Sequence, residues 1–96
     1  MFGVGIGEQT ATTSQLAVSQ NTPNPFYGTT SVTTSLSSTN TVLMEVMDLS
    51  GRIIVSSREK LSPDAHVFRI DLQKPQTYLL KVSAGQEKAV IKMMNV

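Results

Sequence analysis

The sequence has no cysteine and only one histidine among its 96 residues. Without cysteine no disulfide can support the fold, so side-chain packing must hold this domain together. The lack of cysteine also rules out a Cys/His nucleophile pair, and a serine triad would have to use His66. No serine lies in a nucleophile elbow, and His66 is predicted to be a surface or turn-bonding side chain. We therefore do not expect an enzyme.

Charge is also scarce, at 16% of the residues, and its distribution along the chain is uneven. No charged residue lies between Glu8 and Glu45, and every lysine and arginine lies at Arg52 or later. The net charge of +1 and the lack of a basic patch with interleaved aromatics exclude nucleic acid as an expected partner. No metal or cofactor is expected either, because the aspartates lack the dense spacing of a calcium loop: Asp48, Asp64 and Asp71.

Long apolar runs are absent, so no segment approaches the roughly 20 residues of a membrane-spanning helix. The first ten residues, MFGVGIGEQT, have no basic n-region and no long h-region, so they do not form a signal peptide. The length suits one domain. If the protein is exported, its signal lies elsewhere, and we expect the chain to be part of a longer one.

Residues 1–15 are predicted to be a flexible linker. The stretch GVGIGEQTATTSQ is small and polar and has no apolar period. Its G-x-G-x-G run could instead be a phosphate loop, but such a loop needs a preceding strand and a following helix, and neither is predicted. The folded domain is expected over residues 16–96.

From Leu16 onward the pattern is that of β-strands. Alternation places Phe68, Ile70 and Leu72 on the inward face of one strand, and Tyr78, Leu80 and Val82 on the inward face of another. Residues 41–49 are apolar on both faces, so this should be a central strand. Val42, Met44 and Val46 lie on one face, and Leu43, Met47 and Leu49 lie on the other. Seven short strands separated by Gly, Pro, Ser and Asn predict an all-β, immunoglobulin-like Greek-key sandwich. The predicted strands are residues 16–20, 29–36, 41–49, 52–57, 65–72, 77–83 and 88–96.

The stretch QNTPNPFYGTTSV, residues 20–32, has two prolines and an aromatic just before a predicted strand. Proline donates no ladder hydrogen bond, so Pro23 and Pro25 exclude a central strand. The residue before each proline is pushed to extended geometry. We therefore expect an extended segment along one end of the sandwich, with Phe26 closing the core. An exposed Phe26 would instead be a candidate contact for a partner.

The same stretch resembles the opening motif of type A C-terminal sorting domains of the type IX secretion system, in which Gln-Asn-x-Pro-Asn-Pro-Phe precedes a Thr-containing strand. The similarity continues through MEVMDLSGRII, LSPDAHVFRIDL, TYLLKVSAG and KAVIKMMNV, and it covers residues 16–96. The family places glycine where this chain has Asp64 and Gln76. Since Gln tolerates a positive φ poorly, we expect a different turn at Gln76, shaped by Pro75.

The resemblance implies a transport label. Such a domain follows an N-terminal cargo domain, directs it from the periplasm across the outer membrane, binds an outer-membrane barrel shuttle protein and is cut off at the surface by a sortase-like peptidase. The resemblance thus implies a processing region within the linker of residues 1–15. The end of the chain on its last strand fits that position. The alternative is an immunoglobulin-like or fibronectin-like spacer that presents a neighbouring enzyme or adhesin domain. A spacer can be internal, whereas a sorting domain must be C-terminal.

Most methionines are predicted to be core residues, although an uncovered apolar face on strands 41–49 and 88–96 would be a partner site with lysines at its rim. The predicted recognition residues combine that face with the motifs of the resemblance: Asn24, Pro25, Phe26, Asp48, Gly51, Tyr78, Gly85, Lys88, Lys92 and Met93.

Overall fold

The computed structural model describes residues 15–96, all of whose regular secondary structure is β. Within that range no helix has the length and apolar character to cross a membrane. The predicted linker and processing region lie outside the described residues, except for Gln15. The strands are β1 Leu16–Val18, β2 Thr22–Tyr27, β3 Thr29–Leu36, β4 Asn40–Asp48, β5 Ile53–Leu61, β6 Asp64–Asp71, β7 Thr77–Ala84 and β8 Glu87–Met94.

The first sheet is antiparallel and has β3 at its centre. Strand β6 pairs along one edge of β3. Strands β1 and β2 follow one another along the other edge, with Leu16 opposite Leu36 and Thr22 opposite Ser31. The two short segments thus act as one interrupted edge strand, and the prediction of about seven strands in a sandwich is confirmed.

The second sheet is antiparallel with the order β5-β4-β7-β8. Its β4 is central, as the apolar character of both its faces predicts. A bulge beside Val46 and Met47 interrupts the register between β4 and β5. The chain crosses between the sheets after β3, β5 and β6, so strands distant in sequence pair, as in Greek-key sandwiches.

The core lies between the two sheets and is built from every second residue of the central strands. The inward positions predicted for β7 are all buried, and Phe68 on β6 is partly buried against the core. Alternation follows from strand geometry, which turns successive side chains to opposite faces. The buried apolar residues are Leu16, Phe26, Val32, Leu36, Val42, Met44, Val46, Leu61, Ile70, Leu72, Tyr78, Leu80, Val82, Ala84 and Met93.

Several boundaries differ from the sequence prediction. The proline-containing segment is itself an edge strand, and β5 runs on to Leu61 instead of ending at residue 57. Leu49, predicted on the second face of the central strand, lies in the following turn and is 68% exposed. Asp64 has a φ of 82°, whereas Gln76 has no positive φ, so only the first of these two turns keeps the glycine-like geometry.

Candidate functional site

The proline motif and the end of the chain lie side by side. Phe26 in β2 forms a parallel bridge with Asn95, just after β8. Residues 20–28 therefore line the free edge of the last strand. We call the contact between residues 20–28 and residues 92–96 the junction. Sequence reasoning placed candidate residues in both segments but did not bring the two together.

Hydrogen bonds from the motif cover the free edge of β8. The N–H of Met94 donates to Oδ1 of Asn24 at 2.9 Å. The N–H of Val96 donates to the carbonyl of Phe26 at 2.9 Å. The carbonyl of Lys92 accepts from Nε2 of Gln20 at 2.9 Å. Alternate residues of an edge strand point their backbone groups away from the sheet, and here the motif supplies their partners.

Asn95 is the most connected side chain of the junction, and it is buried. Its Oδ1 accepts the N–H of Gly28 at 2.8 Å. Its Nδ2 donates to the carbonyls of Leu72 at 3.1 Å and Lys74 at 3.0 Å. One amide thus joins the β2–β3 turn, the β6–β7 loop and the chain end. Sequence reasoning missed it, although Asn95 continues the inward alternation of β8 that buries Met93, and a polar residue at such a position was a usable signal.

Asn21 is a second buried polar residue that sequence reasoning missed, and its hydrogen bonds hold the start of the proline motif in place. Nδ2 of Asn21 donates to Oγ1 of Thr30 at 3.0 Å and to the carbonyl of Pro23 at 3.1 Å. The hydroxyl of Thr30 in turn donates to the same carbonyl at 2.9 Å. This network lets a segment without ladder hydrogen bonds at its prolines remain against the sheet, because its buried polar groups are paired.

The motif residues have different environments. Phe26 is 1% exposed and belongs to the core, so its side chain is not available to a partner of the folded domain. Asn24 and Pro25 are exposed. The peptide bonds Thr22–Pro23 and Asn24–Pro25 are both cis. Tyr27 points outward and is 85% exposed, and with Val96 it lines an open groove at the end of the sandwich.

Asp48 and Gly51 build the β4–β5 turn. Oδ1 of Asp48 accepts the hydroxyl of Ser50 at 2.5 Å and the N–H of Arg52 at 3.0 Å. The Ser50 hydroxyl bond, followed by the Arg52 backbone bond, lowers the pKa of the Asp48 carboxyl. Gly51 has a φ of 90°, which glycine adopts without strain. Asp48 and Gly51 therefore stabilise this turn, and neither residue belongs to the junction.

The contacts of Tyr78 and Gly85 also support the fold. Tyr78 is buried, and its hydroxyl donates to the carbonyl of Lys74 at 2.7 Å, four residues upstream, like the tyrosine corner of β-sandwiches. Gly85 has a φ of 62°, and a Cβ there would lie 3.3 Å from Nδ2 of Asn40. A larger residue would be disfavoured on both grounds.

The outer face of the second sheet is not covered by any strand of residues 15–96. On this face Lys88 and Lys92 of β8 lie opposite Ser83 and Leu79 of β7. Their neighbour Met94 is 42% exposed, whereas Met93 points into the core and is fully buried. The outer face thus carries two predicted recognition residues, Lys88 and Lys92, and Met93 can influence a partner only through packing.

The outer face also carries half-buried apolar side chains. Met47 of β4 lies opposite Leu79 of β7, and Leu43 of β4 lies opposite Ser83. The exposed Val90 of β8 lies opposite Lys81. Charged side chains lie among these apolar ones, so the face that no strand of residues 15–96 covers is mixed in character. In the described part of the chain, no group of three or more His, Asp or Glu residues comes together as a metal site.

Comparison with known proteins gives the family. A family model described as the secretion system C-terminal sorting domain matches residues 22–95, most of the chain and both sides of the junction. No curated protein matches the chain. The family is one of sorting signals and not of enzymes, and its members belong to cargo exported across the outer membrane to the cell surface or beyond. The chain belongs to the family of type IX secretion system C-terminal sorting domains.

Proposed function

We propose that this domain carries its cargo across the outer membrane by binding a barrel-type shuttle protein, and that a sortase-like peptidase then removes it at the cell surface. The domain is exposed to the periplasm during transit. The observation that carries the proposal is the junction, since the family match spans both the proline motif and the chain end, which the structure joins. Family membership favours this role over that of a spacer.

The shuttle contacts the outer face of the second sheet along β8. That face presents Lys88, Val90, Lys92 and Met94, four outward residues in alternating positions. Basic and apolar side chains side by side suit a partner surface with acidic groups around an apolar patch. Asn24 and Phe26 act as positioning residues, because they hold the edge and core side of β8 in place.

Cleavage takes place upstream of Leu16. The carboxylate of Glu87 accepts the N–H of Gln15 at 2.8 Å and the N–H of Leu16 at 3.1 Å. Strand β1 then pairs with β3 from Leu16 on. A peptidase needs extended, accessible backbone. These contacts make the backbone inaccessible to a peptidase from Gln15 onward. Mass spectrometry of the released domain should find its new N-terminus before Leu16, and a terminus within or beyond residues 21–26 would contradict this boundary.

The test of export fuses residues 1–96 to the C-terminus of a folded reporter in a bacterium with a type IX system. We expect surface display of the reporter, and its retention in the periplasm when residues 92–96 are deleted. Normal display of the truncated fusion would overturn the proposal.

Because the deletion also removes Asn95 and its hydrogen bonds, a second variant separates recognition from folding. The double charge reversal Lys88→Glu with Lys92→Glu changes only exposed side chains. It should leave thermal melting unchanged and reduce display. The matched control Lys74→Glu reverses an exposed lysine on the β6–β7 loop and should be displayed normally.

A further inference from the structure

Strand β5 forms the other edge of the second sheet, and this edge differs sharply from that of β8. Of its nine residues, Ile53–Leu61, only the last is buried. It pairs with β4 alone. The edge of β8 is closed by the proline motif, whereas no residue of the described range makes a hydrogen bond to the outward side of β5. Long uncovered edges of this kind are templates for a further strand.

The direction of the β5 backbone groups follows from the ladder. The N–H of Asp48 donates to the carbonyl of Arg52, so this pair is hydrogen-bonded and the bonded pairs alternate from there along β4. Met44 opposite Ser57 and Val42 opposite Glu59 are then bonded pairs. The intervening residues of β5 turn their N–H and carbonyl groups away from the sheet: Ser56, Arg58 and Lys60.

One half of this edge is apolar. Ile53 is 50% exposed, Ile54 is 40% exposed and Val55 is 43% exposed. Leu49, in the preceding turn, adds a further exposed side chain. By the register with β4, Ile53 lies on the outer face of the sheet and Val55 on the inner face, so this end of the edge strand offers apolar contacts on both faces.

The other half is basic on one face. Arg58 and Lys60 lie opposite Leu43 and Thr41, on the outer face of the sheet, while Glu59 points to the other face. Neither cation has an ion pair within residues 15–96. Antiparallel pairing of β5 with a second β5 about Arg58 would set two arginines opposite each other, and pairing about Glu59 would set Arg58 opposite lysine. Like charges directly opposite are destabilising, so these two registers are disfavoured. Pairing about Ser57 avoids the clash but gives neither cation an acidic partner, which a segment with its own acidic residues supplies.

We propose that β5 accepts an extended segment of a partner protein as an additional antiparallel strand. The partner segment has acidic residues opposite Arg58 and Lys60 and β-branched apolar residues opposite Ile53 and Val55. Main-chain hydrogen bonds to Ser56, Arg58 and Lys60 supply the pairing, and the charges fix its register. This site lies on the sheet edge opposite β8, and its occupancy does not depend on whether residues 92–96 direct export.

The probe is a synthetic nine-residue peptide, Thr-Glu-Lys-Glu-Thr-Thr-Val-Thr-Val, which places Glu opposite Arg58 and Lys60 in the antiparallel register. The matched control is Thr-Lys-Glu-Lys-Thr-Thr-Val-Thr-Val, which exchanges the charges. Titration into the ¹⁵N-labelled domain should shift the amide signals of Ser56, Arg58 and Lys60, with affinity for the first peptide about tenfold higher.

Two protein variants make the result specific. Ser56→Pro removes an outward N–H without removing a bond to β4, and it should abolish the shifts while the β7 amides keep their positions. Should that variant fold poorly, Arg58→Glu with Lys60→Glu tests the same point, because it should reverse the preference between the peptides. Three results would each overturn the proposal. They are equal affinity for both peptides, amide shifts only outside β5, and concentration-dependent pairing of β5 with a second copy.

Discussion

Asn24 and Met94 lie 70 residues apart in the sequence, and the N–H of Met94 donates to Oδ1 of Asn24 at 2.9 Å. This bond ties the proline motif to the free edge of the last strand. Two segments that carry the family resemblance are therefore parts of one structural unit. The position of β8, and with it the outer face that we propose for recognition, depends on a residue near the start of the domain.

Replacement of Asn24 by alanine should loosen this edge without unfolding the domain. The lost bond is exposed, so we expect a cost of about 1 kcal/mol or less and faster hydrogen exchange of the Met94 amide. Asn24→Asp keeps an acceptor in place and serves as the control. Unchanged exchange at Met94 in the alanine variant would show that this bond does not protect the edge.

Asn95→Ala should be more damaging, because three buried or partly buried hydrogen bonds end on this side chain. With each unpaired group costing about 1 kcal/mol, we expect a loss of about 3 kcal/mol in the free energy of unfolding. Chemical denaturation measures it. The neighbouring Val96→Ala is the matched control, since that side chain is 57% exposed, and a similar loss in both variants would contradict the role of Asn95.

Two threonines on β3 should respond in opposite ways to valine. Both are buried, but the Thr34 hydroxyl has no hydrogen-bond partner within residues 15–96, whereas the Thr30 hydroxyl is bonded to Asn21 and Pro23. Thr34→Val should raise the melting temperature, because it removes an unpaired buried polar group. Thr30→Val should lower it, because it removes the two hydrogen bonds of that hydroxyl, at about 1–3 kcal/mol. The same sign in both variants would contradict this account.

Phe26→Ala tests the anchoring of the motif in the core. The side chain is 1% exposed, so its truncation should cost about 3–5 kcal/mol, as for other large-to-small aromatic changes in cores. In a marginally stable domain this would unfold a large fraction of the molecules. Thermal melting of the wild type and the variant measures the loss, with Tyr27→Ala as the exposed aromatic control.

The lowered pKa of Asp48 predicts that the β4–β5 turn loses stability in acid. Its pKa is lowered in the folded state, first by the Ser50 hydroxyl, so folding favours the carboxylate. The stabilisation is complete above the ordinary carboxyl pKa near 4 and is lost as the pH falls through the lower folded value. The difference in melting temperature between the wild type and Asp48→Asn should therefore be largest at neutral pH and shrink below about pH 4. A difference independent of pH would exclude this carboxylate as its source.

The local patterns of the sequence determined the fold class and most strand interiors. Apolar alternation fixed the inward faces of β7 and of the second half of β6, because a one-residue slip would turn every core side chain to solvent. The apolar character of both faces of β4 predicted its central place. Proline chemistry predicted an extended segment outside the sheet centre, and Phe26 within it lies in the core.

Tertiary structure alone decided which segments meet. Sequence reasoning identified Asn24 and Lys92 separately, but the pairing of residues 20–28 with residues 92–96 depends on how the two sheets stack, which no local period encodes. For the same reason Asn21 and Asn95 were missed, since a buried amide is stable only when its distant partners are in place. That no other strand of residues 15–96 covers the edge of β5 likewise follows from strand order, because exposure of a strand's edge depends on which other strands fold beside it.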